Sequence, residues 1–335
     1  MGEVRELVER TLDLMLEYAD VMQRINCYAR ELHKHLYAKL FKPCAEKPWA
    51  RDEVKVPMEK KVEVPSFLRP VLGDAFEAAL LTVNGRGLFV EGKKHLSIYF
   101  NEDVTLYHVL WLALIVDDWS EVVGRVRDGD VRRCVEAVAA AAEAARLALE
   151  GEPAAQPPPS CGVWRFSERF RELILDAVET LLEEERMERA PHETVAGRFI
   201  SWWEIPLFYG DYLHTLYGFS ITLRVEREVE VPEWLAELVS SSYRIAPPFT
   251  VEAVRADETG VSVYVRSRVG RGEEKAQLQP IYRGSTSVGD LLLAAYFTEE
   301  EDWRRLTAER RKLLDTLGET YCKVRAAASM YKLLA

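Results

Sequence analysis

Two strings in this chain are near copies. Val62-Glu63-Val64-Pro65, followed by Phe67, Leu68 and Leu72, returns as Val229-Glu230-Val231-Pro232 with Trp234, Leu235 and Val239. A strand–turn–strand pattern follows each string, then an apolar helix, then a second helix with alanines in its later turns. Recurring element order over roughly 150–170 residues reads as one module built twice, with a pseudo-symmetric seam between the copies.

At 335 residues the chain exceeds what one core usually serves, so two domains are expected. The composition breaks at Gly151-Glu152-Pro153-Ala154-Ala155-Gln156-Pro157-Pro158-Pro159-Ser160, which lacks apolar periodicity and reads as a stiff, extended linker. The division is therefore module 1 over 1–150, a Pro-rich linker over 151–162 and module 2 over 163–335.

Module 1 opens with an amphipathic helix from about Val4 to Leu40, its apolar residues recurring every three and four, with a break near Asn26. Val54–Val56 and Val62–Val64 alternate like short strands, and Pro65 suits the entry of a short helix, Ser66–Leu72. Ala79–Val83 and Leu88–Phe100 flank Asn84-Gly85-Arg86-Gly87, a hairpin signal because Asn-Gly tolerates positive φ. Helices over Val104–Val123 and Asp130–Glu150 close the copy. Module 2 repeats this with helix Ser167–Arg189, an aromatic insertion over 199–219, strand Ile221–Val231, helix Glu233–Ser240 and a hairpin turning on Asp257–Gly260. Gly284-Ser285-Thr286-Ser287 caps helix Val288–Phe297, and Glu299–Leu334 forms a last helix, interrupted at Gly318. The predicted fold class is a helix-rich α+β protein, each module packing helices around a β-hairpin or small antiparallel sheet.

The net charge of −11 argues against a protein that coats a nucleic-acid backbone, where affinity comes from Lys and Arg neutralising phosphates. Amides are scarce (Gln23, Asn26, Asn84, Asn101, Gln156, Gln277 and Gln279) while Glu and Arg abound, the pattern of a hyperthermophile and, by inference, an archaeon. Cys27, Cys44, Cys134, Cys161 and Cys322 show no CxxC and no metal spacing. Cys27 and Cys44 read as buried thiols, with a Cys27–Cys44 disulfide as the alternative a hyperthermophile permits. The first residues enter a helix directly, without the pattern of a signal peptide, and no run approaches the roughly 18 apolar residues a membrane span requires, so a cytoplasmic protein is expected. No cofactor is expected.

Leu112-Ala113-Leu114-Ile115-Val116-Asp117-Asp118 resembles the motif of LAGLIDADG homing endonucleases, in which a helix ends in a metal-binding acid. Leu293-Ala294-Ala295-Tyr296-Phe297 with Glu299, Glu300, Glu301 and Asp302 is the second copy. The resemblance implies Asp117, Asp118, Glu301 and Asp302 as ligands for two-metal phosphodiester cleavage. Arg30-Glu31-Leu32-His33-Lys34-His35 resembles the Arg-x4-His string of HEPN-type ribonucleases, implying Arg30 and His35 as the pair acting on the 2′-hydroxyl and phosphate. Gly284–Asp290 resembles the Gly-Ser entry of nucleotidyltransferases, without the acid-bearing strand that follows it there; a helix cap accounts for it.

The aromatic insertion is the other candidate. Trp202, Trp203, Phe208, Tyr209, Tyr212 and His214 crowd a stretch that interrupts the repeat, and aromatics at this density fill a core, line a pocket or anchor a partner. The preferred reading is a non-catalytic interaction or scaffold protein, binding a partner protein through the inter-module seam and this insertion. The alternative is a nucleic-acid-processing enzyme using the metal acids or the Arg30–His35 pair.

Overall fold

The computed structural model describes residues 2–42, 44, 53–93, 95–152, 172, 175–180, 199–201, 220–257, 259–269, 272–282 and 285–334. It is an α+β protein of long helices and antiparallel sheets, as the sequence predicts. The described residues group into two compact units. One is drawn from Met1–Asn26, Cys161–His214 and Gly218–Leu314 with a six-stranded sheet; the other from Cys27–Ser160, Thr215–Tyr217 and Asp315–Ala335 with a four-stranded sheet. The aromatic insertion residues Trp202, Trp203, Phe208, Tyr209, Tyr212 and His214 lie outside the described residues.

The long first helix, α1 (Gly2–Tyr37), contributes to both units, and so does the last, α8 (Glu300–Leu334). Neither breaks at Asn26 or Gly318 as expected. One such residue in a helix costs only about 1 kcal/mol, less than the packing of a long amphipathic face recovers. Residues 175–180 are also helical, within the predicted Ser167–Arg189; the remainder of that helix, apart from residue 172, lies outside the described residues.

In the four-strand unit the sheet order is β2 (Val54–Glu63), β3 (Ala75–Asn84), β4 (Gly87–Gly92) and β5 (Leu96–Tyr99), with α2 (Arg69–Leu72) between the first two strands. The two expected strands at 54–64 are one strand carrying an irregularity, described below. Asn84 Oδ1 accepts from the N–H groups of Arg86 (2.8 Å) and Gly87 (3.3 Å), which closes the predicted hairpin through a side chain. The expected long strand Leu88–Phe100 is instead two antiparallel strands. Gly92 permits the break: a Cβ there would stand 1.9 Å from the Glu77 carbonyl oxygen, so only glycine lets the chain pass that close to β3. A small separate ladder pairs β1 (Lys39–Phe41) with β6 (Val104–Thr105).

The inward face of this sheet (Val56, Val62, Phe76, Leu81, Val83, Leu88, Val90, Ile98) is buried beneath α3 (Leu106–Ile115), itself apolar nearly all round, and α3 packs on α5 (Gly129–Glu150). The expected helix Val104–Val123 is thus three elements, β6, α3 and α4 (Trp119–Arg125). Side chains set the starts. Thr105 and His108 form a reciprocal capping box on α3, Asp118 caps α4, and Asp128 accepts from Asp130 and Val131 N–H on α5. At the other end of α5 the buried Lys323 donates to the Leu149 carbonyl at 2.8 Å, where a cation suits the helix dipole.

The cysteines correct the expectation. Cys44 bonds to Cys134 on α5, Cα to Cα 5.8 Å, and Cys27 is disulfide-bonded as well, so the two are neither free thiols nor partners of one another. Cys322 is free. Spacing alone cannot assign connectivity, because pairing depends on where the fold brings α5.

In the six-strand unit the order is β7 (Phe199–Ser201), β12 (Ser285–Ser287), β11 (Gly272–Tyr282), β10 (Gly260–Val269), β9 (Phe249–Asp257) and β8 (Ile221–Val229). Helix α6 (Glu233–Tyr243) connects β8 to β9, and α7 (Val288–Phe297) follows β12. The Gly284–Ser287 string, expected as a cap alone, supplies β12, which pairs with both β7 and β11. Helix α7 is buried nearly all round, and Phe297 meets Phe249 edge to face at 5.5 Å between centroids. One surface of the sheet carries a charge ladder. Arg266 on β10 lies 3.4–3.5 Å from Glu226, Glu252 and Glu273, and Lys275 pairs with Glu252 at 2.9 Å.

One edge strand of each sheet is irregular at a matching place. The register shifts between Pro57 and Lys60 on β2, and between Arg224 and Arg227 on β8. Within those shifts Glu59 (φ 40°) and Glu226 (φ 49°) take left-handed backbone, each three residues before the valine that opens its Val-Glu-Val-Pro string. An extra residue in left-handed conformation bends the strand and redirects the side chain that follows.

Candidate functional site

The redirected side chains are cations. Lys60 and Arg227 both reach from an edge strand to the joint where an apolar helix gives way to the next, and the candidate acids lie at those joints.

In the four-strand unit Lys60 Nζ hydrogen-bonds Asp117, in the three-residue gap between α3 and α4; Asp117 is 81% exposed. Asp118 is the cap of α4, accepting from the Ser120 N–H at 2.8 Å and hydroxyl at 2.5 Å, and these bonds hold its carboxyl below the usual range. In the six-strand unit Arg227 donates to Asp302 Oδ2 (2.8 Å) and to the Phe297 carbonyl (3.1 Å), and pairs with Glu299 (3.2 Å). Asp302, 6% exposed, also accepts the Glu299 N–H at 2.9 Å, so it closes the first turn of α8. Its neighbour Trp303 is buried and donates to Thr298 at 2.9 Å. Glu301 is exposed on α8. Arg227 thus sits at the carboxyl end of α7 with Asp302 in the first turn of α8, and Asp118 caps the amino end of α4, positions the helix dipoles favour. Among the described residues no three His, Cys, Asp or Glu side chains are grouped to hold a metal ion.

The other predicted pair is also engaged locally. Arg30 lies 3.4 Å from Glu31 on its own helix. His35 stands edge to face against Tyr321, 5.9 Å between centroids, and burial, with Arg325 nearby, lowers its pKa.

Sequence reasoning missed a small cleft of about 90 Å³ in the four-strand unit. Tyr107, Trp111 and Ile115 wall it from α3; Phe76, Ala78, Val90 and Leu96 from the sheet; His95 from just before β5. Phe76 and Trp111 lie 4.0 Å apart between centroids, tilted at 43°. Tyr107 meets Trp111 at 5.9 Å and stacks on Tyr37, which is 52% exposed and contacts His33 at 4.5 Å. Burial raises the Tyr107 pKa, so it stays a phenol. The signal was present: residues 107, 111 and 115 recur every four along α3 and form one stripe, with Tyr and Trp where the rest of the helix, apart from the capping His108, is aliphatic.

No family model, curated protein or solved structure matches this chain.

Proposed function

We propose that the chain is a non-catalytic interaction protein, made of two related modules over 1–150 and 163–335, whose partner is a protein. The observation that carries this reading is the employment of the candidate acids: Asp117 pairs with Lys60, Asp118 caps α4, and Asp302 closes the first turn of α8. The relation between the modules is supported by the matched bulges at Glu59 and Glu226 and the matched cations Lys60 and Arg227. The partner surface includes the aromatic insertion with Trp202, Trp203, Phe208, Tyr209, Tyr212 and His214, and the exposed stack of Tyr37 on Tyr107 extends the same chemistry to the described surface. Disulfides together with the Arg266 ion-pair network support a hyperthermophilic archaeal source, where intracellular disulfides are tolerated and such networks gain value with temperature.

The test is a cleavage assay at about 75 °C, a temperature set by the thermophile reading. Labelled single- and double-stranded DNA and RNA are incubated with Mg²⁺, with Mn²⁺ and with EDTA. No substrate is cut on this reading. Metal-dependent cutting lost in Asp118→Asn, or RNA cutting lost in His35→Ala, would overturn it.

A further inference from the structure

His35 keeps cationic company. It projects, half-buried, from the last turn of α1, and its ring stands edge to face on Tyr321 of α8, 5.9 Å between centroids. Arg325 donates to the hydroxyl of the same tyrosine at 3.3 Å, and its guanidinium lies 5.9 Å from the centre of that ring. Lys332, exposed, follows seven residues later, two helical turns on and so on the same face of α8. All of these residues belong to the four-strand unit.

The acid nearby is already engaged. Glu31 accepts from Lys34 at 2.8 Å and lies 3.4 Å from Arg30, and the Lys34 bond is the main cause of its lowered pKa. Among the described residues no carboxylate pairs with Arg325 or Lys332. His35 registers the imbalance: after burial, Arg325 acts on it most, Lys332 and Lys34 act in the same direction, and Glu31 opposes them. Helix dipoles account for Lys34 and Lys332, which sit in the last turns of α1 and α8. They do not account for Arg325, which lies nine residues short of the end of α8. In a chain of net charge −11, two cations without acids beside an imidazole are a local reversal of sign.

We propose that His35, Arg325 and Lys332 bind a phosphate-type oxyanion. Two cations without acids match a group carrying two negative charges. The guanidinium fork serves two oxygens, and the ammonium and an imidazole N–H serve others, which a tetrahedral oxyanion supplies and a carboxylate does not. The proposal is independent of the protein-partner reading: the anion can be held whether or not the aromatic insertion engages a protein.

The experiment follows the imidazole protons of the full chain by NMR through their titration, in sodium sulfate and in sodium chloride of equal ionic strength. Sulfate is the probe because it keeps both charges throughout, and His33 and His108 are internal controls. Saturating sulfate should raise the His35 midpoint by about one pH unit, equivalent to tenfold tighter binding by the imidazolium form, and leave the two controls in place. Inorganic phosphate and glycerol 3-phosphate, compared at neutral pH by the same signal, separate the sources. Tighter glycerol phosphate assigns a phosphoryl group on an organic carrier, and tighter inorganic phosphate assigns the free ion. Arg325→Gln should weaken binding roughly tenfold, the usual worth of a charge-assisted hydrogen bond. Lys332→Gln, at an exposed position away from the Tyr321 contact, should also weaken it, and keeps the test open if the first variant fails to fold. A His35 midpoint that is the same in sulfate and chloride, an equal rise at all three histidines, or binding unaltered in the folded variants would overturn the site.

Discussion

The two helix joints use one plan at different depths. In the six-strand unit Arg227, 22% exposed, holds Asp302, 6% exposed, and through it the first turn of α8. In the four-strand unit Lys60, 27% exposed, holds Asp117, 81% exposed, and the capping work passes to Asp118. The same cation position after the same bulge therefore anchors a buried, multiply bonded acid in one unit and a solvated one in the other. Depth decides what the pair is worth. A buried pair broken on one side leaves an uncompensated charge, whereas an exposed pair exchanges its partner for water at little cost.

If the four-strand unit lacks the buried joint, something else must hold it, and the Cys44–Cys134 bond is the obvious difference. It closes a loop of 90 residues and fastens the segment after β1 to α5. Cross-linking a loop of that length removes unfolded-state entropy of about 4 to 5 kcal/mol, so Cys134→Ser should lower unfolding free energy by up to that amount. Denaturant titration of the variant, with hydrogen exchange to localise the loss, provides the measurement. Protection should fall in α3 and α5 while α7 keeps its own. Uniform loss across both units would break the contrast between them.

The next largest effect sharpens the comparison directly. Asp302→Ala should destabilise by about 3 kcal/mol, because Arg227 keeps only the exposed Glu299 as its acid and the Glu299 N–H loses its acceptor. Asp117→Ala should cost less than about 1 kcal/mol, as for exposed ion pairs. Calorimetric unfolding of the two variants gives both values, and near-equal losses would refute the argument from depth.

How much of this was legible beforehand follows from which interactions are local. The long amphipathic helices, the Asn84 hairpin and the repeated Val-Glu-Val-Pro string were readable because their causes lie within a few residues. Strand β11 was not: Gly272–Tyr282 is crowded with Glu, Lys and Gln, which have low strand preference, and it becomes a strand by pairing along β10. The acids of the joints were visible as a pattern, but their use was not. Lys60 lies 57 residues from Asp117, and Arg227 lies 75 from Asp302, so nothing near the acids named their partners. The cleft was hidden in the same way. Its helix stripe is in the sequence, yet the sheet side and the mouth meet it only after β3, β4 and β5 have folded back.

Acid sensitivity gives the smallest effect and a further asymmetry. His33, His35 and His108, all in the four-strand unit, have pKa values lowered chiefly by burial; for His35 Arg325 adds to the shift and Glu31 opposes it. A lowered histidine pKa means that the folded state takes up its proton later than the unfolded chain does. The unfolded chain therefore binds the extra protons first as pH falls past about 6.5, and stability that is fully present above that value declines toward the folded pKa values. Proton NMR of the imidazole signals should place all three midpoints below 6.5, an ordinary histidine's value. Hydrogen exchange at pH 7 and pH 5 should show the decline in the four-strand unit, where His108 completes the Thr105 capping box of α3. Protonation of His108 Nδ1 would remove the acceptor for the Thr105 N–H, so the first turn of α3 should lose protection before the rest of that helix. Midpoints at or above the ordinary value would mean that these rings are better solvated than their packing against α3 and Tyr321 allows.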